Sequence, residues 1–212
     1  IYEPGMRLIG GGAFDNPLLS SHLFGFFSAY WLSVTMTCKR RQMMWLSVPA
    51  MAVMFMAVIG TGSRTPLVAL TMAALWLCFI CWNRRSVGLL IALALSGATV
   101  RTLFAQMIIE RGDSYRLEIW QKVLHMIADH PWIGHGYSAS LSVDPGNGVS
   151  FQEPHSFVLG VLYYVGIIGL LPWLFFLLWG LLSSWRQRVQ PMLIIASTWL
   201  IFGIGAGLTE GG

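Results

Sequence analysis

Arg64, Arg116 and His155 are the residues of this chain whose types and positions best suit chemistry. A guanidinium is permanently charged, and its planar fork matches two phosphate oxygens at once. A neutral imidazole can take a proton from a hydroxyl, and a positioned general base contributes typically about 100- to 10,000-fold. Two phosphate anchors and one base form a set suited to a phosphorylated lipid. Arg64 ends the short Gly62-Ser63-Arg64 turn, Arg116 follows Asp113-Ser114-Tyr115, and His155 sits in Pro154-His155-Ser156-Phe157, directly ahead of a long apolar run.

The elements that must position these residues are membrane helices. Hydrophobic residues make up 56% of the chain and charged residues 10%, with ten Trp, which excludes an ordinary soluble domain and points to an all-α integral membrane protein. A bilayer crossing takes roughly 20 residues. About six spans are expected: Pro17–Cys38, Met43–Gly60, Thr65–Trp82, Ser86–Phe104, Ser156–Ser183 and Gln190–Leu208. The fourth is interrupted by Gly88, Gly97 and Arg101. Residues 1–212 are read as a single polytopic domain, and the start at Ile1 and stop at Gly211-Gly212 suggest part of a longer polytopic protein.

Charge placement orients the spans. Lys39-Arg40-Arg41, Arg84-Arg85 and Arg186-Gln187-Arg188 contain basic residues and no acid, so the positive-inside rule makes them cytoplasmic. Alternation then puts all nine Asp and Glu outside, together with the Arg64 turn and the loop from Arg101 to His155. The net charge of +4 is therefore a topology signal and implies no nucleic-acid partner.

The outer loop over residues 101–155 is too long to be structureless. A helix is expected over about Ser114–Asp129, with Ile119, Trp120, Val123, Leu124 and Ile127 on one face and Glu118, Lys122, His125 and Asp129 on the other. Extending the apolar spacing backwards places Arg116 on the apolar side. Pro131, Gly134 and Gly136 end the helix, and Ser138–Glu153 reads as an irregular polar loop.

Each candidate has a plainer reading. Arg64 suits a snorkelling arginine at a helix end, yet it lies outside, where the positive-inside bias gives no reason for a cation. Arg116 suits an ion pair with Asp113 or Glu118. His155 suits a polar anchor at the interface; following Pro154, it is expected in the first turn of the fifth span, where the positive end of the helix dipole favours a neutral imidazole. His125, His130 and His135 recur every five residues, which matches no zinc pattern, so no metal is assigned. His22 reads as helix packing or a cavity lining. Cys38, Cys78 and Cys81 fall near cytoplasmic helix ends, away from any external disulfide.

Taken together, Asp113-Ser-Tyr-Arg-Leu-Glu-Ile-Trp120, His130-Pro-Trp-Ile-Gly-His-Gly136, Pro154-His-Ser-Phe-Val-Leu-Gly160 and Val165-Gly-Ile-Ile-Gly-Leu170 resemble the C-terminal half of the O-antigen ligase and O-antigen polymerase superfamily. Gly62-Ser63-Arg64-Thr65 resembles its earlier arginine turn. The resemblance runs through nearly the whole chain, in order. It implies a C-type glycosyltransferase fold in the bacterial inner membrane, acting on the periplasmic face. Such an enzyme takes a glycan from undecaprenyl diphosphate and gives it to a hydroxyl, for ligases that of lipid A-core, with no cofactor or metal. By motif position Arg64 and Arg116 would hold the diphosphate, while His155, with Arg116, would carry catalysis. The family pattern has Asn after the histidine, where this chain has Ser156. Trp120, Trp132 and Tyr137 suit packing against lipid or sugar, or structural packing.

The polymerase and the protein-glycosylating members of the superfamily share this chemistry. The long outer loop and its motif spacing favour the ligase. A transporter of lipid-linked glycans predicts charged or broken helices at mid-membrane, whereas here the ionisable groups cluster at one face. A structural subunit would tolerate loss of Arg116 without effect on any glycan.

Overall fold

A computed structural model describes residues 8, 16–95, 115–144, 146, 148 and 150–209. Gly10-Gly11-Gly12, Asp15, the expected fourth span beyond residue 95 with Gly97 and Arg101, the loop as far as Asp113-Ser114, and Gly211-Gly212 lie outside the described residues. The architecture is all-α: α1 (Pro17–Thr37), α2 (Arg41–Gly60), α3 (Thr65–Ile80), α4 (84–95), α5 (Arg116–Asp129), α6 (Phe157–Arg186) and α7 (Pro191–Thr209). Among the described residues, β pairing is confined to one isolated antiparallel bridge, Val143 to Phe151.

Three helical stretches, Gln42–Gly60, Phe157–Arg186 and Pro191–Leu208, are long and apolar enough to cross a membrane, and Thr65–Ile80 is a shorter apolar helix. The protein is thus a membrane protein. α1 starts where the sequence expects it: Asn16 Oδ1 accepts the Leu18 N–H at 2.8 Å and Pro17 opens the helix. At its other end Arg85 Nη1 donates to the carbonyls of Thr35 and Cys38 at 2.7 and 2.8 Å. A cation thereby occupies the negative end of α1 and satisfies carbonyls that the helix leaves open.

The chain divides into two compact units. The first comprises Ile1–Leu93 with Gly180–Ala206. Its core gathers Ala29, Val58, Ala69, Leu70, Ala73 and Phe202, with a second cluster of Met36, Leu77, Ile80 and Ile194. Small residues let α3 and α7 approach closely: a Cβ added at Gly205 would lie 2.8 Å from Ala69 Cα. Trp76 Nε1 donates to Ser197 Oγ at 3.0 Å across the same pair of helices.

The second unit comprises Ala94–Trp179 with Gly207–Gly212. Its core is the inward stripe of α5, Ile119, Val123 and Ile127, closed by Leu141, Val143 and Tyr163. α5 begins at Arg116, two residues later than the sequence suggests, because Tyr115 has φ 61 and takes the chain out of helix.

The expected uninterrupted fifth span is not one straight helix. Gly166 has φ 65 and ψ −167, which divides α6 into two arms, 157–165 and 167–186. Phe157 and Trp173 have ring centroids 5.3 Å apart. In a straight helix these residues would be separated by roughly 24 Å at 1.5 Å per residue. The upstream arm is therefore folded back beside the downstream arm.

Candidate active site

The break in α6 is filled by the segment that follows α5. Its geometry answers a specific need, since an interrupted helix leaves carbonyls on one side and N–H groups on the other without partners. The carbonyls of Tyr163 and Tyr164, ending the first arm, accept N–H bonds from His135 and Gly136 at 2.8 and 2.9 Å. The N–H groups of Ile167 and Ile168, opening the second arm, donate to the carbonyls of Pro131 and Trp132 at 2.9 and 3.1 Å.

Two glycines make this docking possible. A Cβ at Gly166 would collide with the Trp132 carbonyl, and one at Gly134 would lie 2.5 Å from the Tyr164 carbonyl carbon. Both have positive φ, which other residues adopt at a cost. His135 completes the joint by stacking on Tyr163 with centroids 4.4 Å apart, and His130 meets His135 edge-on at 4.9 Å. His130 and His135 are thus used in loop packing and hydrogen bonding, while His125 is exposed on the polar face of α5.

Arg116 and His155 belong to this second unit. Arg116 is the first residue of α5 and is half-buried, one turn before Ile119 and Trp120, as the apolar spacing predicts. His155 is half-buried, with Phe151 edge-on at 5.8 Å. It is not in the first turn of α6. The helix starts at Phe157, and the Ser156 carbonyl accepts the first helical bond, from Gly160 N–H at 2.9 Å. His155 itself has φ 49. The dipole of α6 therefore acts on it from two residues away rather than from within the helix.

Tyr115 and His155 are the described non-glycine residues with positive φ. Left-handed backbone costs roughly 1–3 kcal/mol per residue, and such strain concentrates at functional sites. One strained position precedes Arg116 and the other is His155. The link between their segments is Trp120, whose Nε1 donates to the Pro154 carbonyl at 3.0 Å. Sequence reasoning named Trp120 as a packing residue and missed this role, although its place one turn after Arg116 was a usable signal.

The loop after α5 is shaped by its own contacts. Val143 and Phe151 exchange backbone hydrogen bonds of 2.9 and 2.8 Å, which closes the intervening polar segment. Lys122 Nζ donates to the Asp144 carbonyl, and Asp144 Oδ1 accepts from Gly146 and Gly148. Phe151 is thereby held with its ring steeply inclined to that of His155, at an interplanar angle of 72°.

Arg64 lies in the first unit, exposed, at the N-terminal end of α3. The turn leading to it is closed by hydrogen bonds: Thr61 Oγ1 donates to the Val58 carbonyl at 2.6 Å and accepts from Ser63 N–H at 3.3 Å, and Gly62 has φ 64. The Arg64 carbonyl starts α3 by accepting from Leu67 and Val68.

A family model described as O-Antigen ligase matches residues 49–174, a stretch that includes Arg64, Arg116 and His155. The curated O-antigen ligase of Pseudomonas aeruginosa is 44% identical over 207 residues, covering 97% of this chain and 51% of that relative. The chain spans about half the length of the relative it matches.

Proposed function

Because the chain belongs to the O-antigen ligase family, we propose that it carries part of the active site of a glycosyltransferase that moves a glycan from undecaprenyl diphosphate to a hydroxyl of lipid A-core, on the periplasmic face of the inner membrane. The observation that carries this reading is the Trp120 to Pro154 bond, which ties the helix headed by Arg116 to the residue before His155.

In this mechanism His155 accepts the proton of the acceptor hydroxyl as its oxygen attacks the anomeric carbon. The bond from that carbon to the diphosphate oxygen breaks, and undecaprenyl diphosphate leaves with the electron pair. Arg64 and Arg116 hold the diphosphate and stabilise the charge that develops on it. Fixed donors at a partly dehydrated boundary do this without a metal ion, since they need not reorganise as the charge grows.

The test is a lipopolysaccharide gel from the source bacterium with the parent gene deleted, complemented by wild type or His155→Ala. Core without attached glycan, with polymer accumulating on undecaprenyl diphosphate, supports the ligase. Core bearing a single repeat unit indicates a polymerase instead. An unchanged ladder removes both and points to a protein O-oligosaccharyltransferase or a transporter of lipid-linked glycan.

A further inference from the structure

The two arms of α6 differ in what covers them. The arm 157–165 packs on the α5 core through Tyr163, which is 3% exposed, with Leu159, Leu162 and Tyr164 against the same cluster. Beyond the break the large apolar side chains are open: Ile168 is 57% exposed, Phe175 58%, Phe176 71% and Trp179 62%. The surface suited to lipid therefore belongs to the arm 167–186.

That arm has the length of one crossing. Its residues run from Ile167 to Arg186, about 20 positions, and at 1.5 Å per residue they cover about 30 Å, the thickness of a bilayer's hydrocarbon core. Arg186 closes it at one boundary, so Gly166 falls at the other. Non-helical backbone is tolerated at a lipid boundary when its polar groups are paired, and the four hydrogen bonds from 131–136 pair them here.

The same bonds fix Trp132 and Ile133 at the break, with their side chains 64% and 69% exposed. A Trp beside an aliphatic residue, held at the depth where a span ends, has the composition of a membrane-interface anchor.

We propose that Trp132 and Ile133 insert into the lipid boundary at the Gly166 end of the arm 167–186, making the Pro131–Gly136 segment a membrane anchor for the unit that holds Arg116 and His155. The partner is the lipid surface, at the junction of headgroups and acyl chains. The anchor does not depend on the transfer chemistry proposed above.

The test is site-directed spin labelling of the full-length protein in phospholipid vesicles, with Cys38→Ser, Cys78→Ala and Cys81→Ser as background. Labels go at Ile133→Cys, Phe176→Cys and His125→Cys. Phe176 lies midway between Gly166 and Arg186 and marks the bilayer centre, while exposed His125 marks water. Accessibility to oxygen relative to a water-soluble nickel complex at position 133 should fall between the other two. A value matching position 125 overturns the anchor, and one matching position 176 overturns the placement of the boundary at Gly166. A second measurement keeps the native cysteines: the fluorescence lost in Trp132→Phe should be quenched more by lipids brominated near the headgroup than by those brominated near the chain ends. Equal indifference to both lipids also overturns the proposal.

Discussion

The indole Nε1 of Trp120 donates to the backbone carbonyl of Pro154 at 3.0 Å. It joins two segments that each contain left-handed backbone, at Tyr115 and at His155. In the proposed mechanism this bond makes Trp120 a positioning residue for His155. Trp120→Phe keeps the ring packing and leaves the carbonyl without its donor. The orphaned acceptor costs about 1–3 kcal/mol, so glycan transfer by the full-length enzyme should fall roughly tenfold, seen in kcat more than KM. Unchanged transfer would separate Trp120 from the site.

Arg116→Ala and His155→Ala test the two ends of that link. Loss of a general base removes about 100- to 10,000-fold, and loss of a fixed donor to a developing anion about 100- to 1,000-fold. Both variants should reach the membrane at wild-type levels and fail to transfer glycan. Arg116→Lys keeps the charge without the fork and should retain partial activity. Wild-type activity in His155→Ala would remove the general base from the mechanism.

Gly166 and Gly136 both have positive φ but differ in surroundings. At Gly136 an added Cβ meets nothing within 4 Å, so Gly136→Ala should cost only about 1–2 kcal/mol of left-handed strain. At Gly166 the same change also drives into the Trp132 carbonyl and opens the four bonds that close the helix break. Thermal unfolding in detergent should rank Gly166→Ala well below Gly136→Ala. Equal melting temperatures would show that the break relaxes freely.

Gly205 and Gly203 make a matching pair in α7. A Cβ at Gly205 would lie 2.8 Å from Ala69 Cα, whereas one at Gly203 meets nothing within 4 Å. Gly205→Val should force α3 and α7 apart and lower the membrane level of the protein, with overpacking costing about 1–3 kcal/mol. Gly203→Val should be tolerated. Immunoblots of membrane fractions distinguish the two.

The local setting of the candidate residues was partly legible in sequence because its signals are local. Arg116 heads α5 on the side of Ile119 and Val123, as helical periodicity requires. Arg64 follows a tight turn because only a few residues separate α2 from α3. His155 was found by its place before an apolar run, but its exact setting was misread. Periodicity sees Ser156–Ser183 as one apolar stretch, and a glycine inside such a stretch signals close backbone approach without naming what approaches.

By itself the sequence determined that this is an all-α membrane protein, and it named Arg64, Arg116 and His155 as candidates for the proposed chemistry. Apolar length, basic clusters and helical spacing are properties of neighbouring residues, and water and lipid read them directly. Only the tertiary structure decided that α6 folds back at Gly166 and that Trp120 reaches Pro154. Both follow from hydrogen-bond needs met by segments distant in the chain: carbonyls at Tyr163 and Tyr164 answered by His135 and Gly136, and a carbonyl at Pro154 answered by an indole on α5. No local pattern encodes which distant donor will meet a given acceptor, because that depends on how the chain packs.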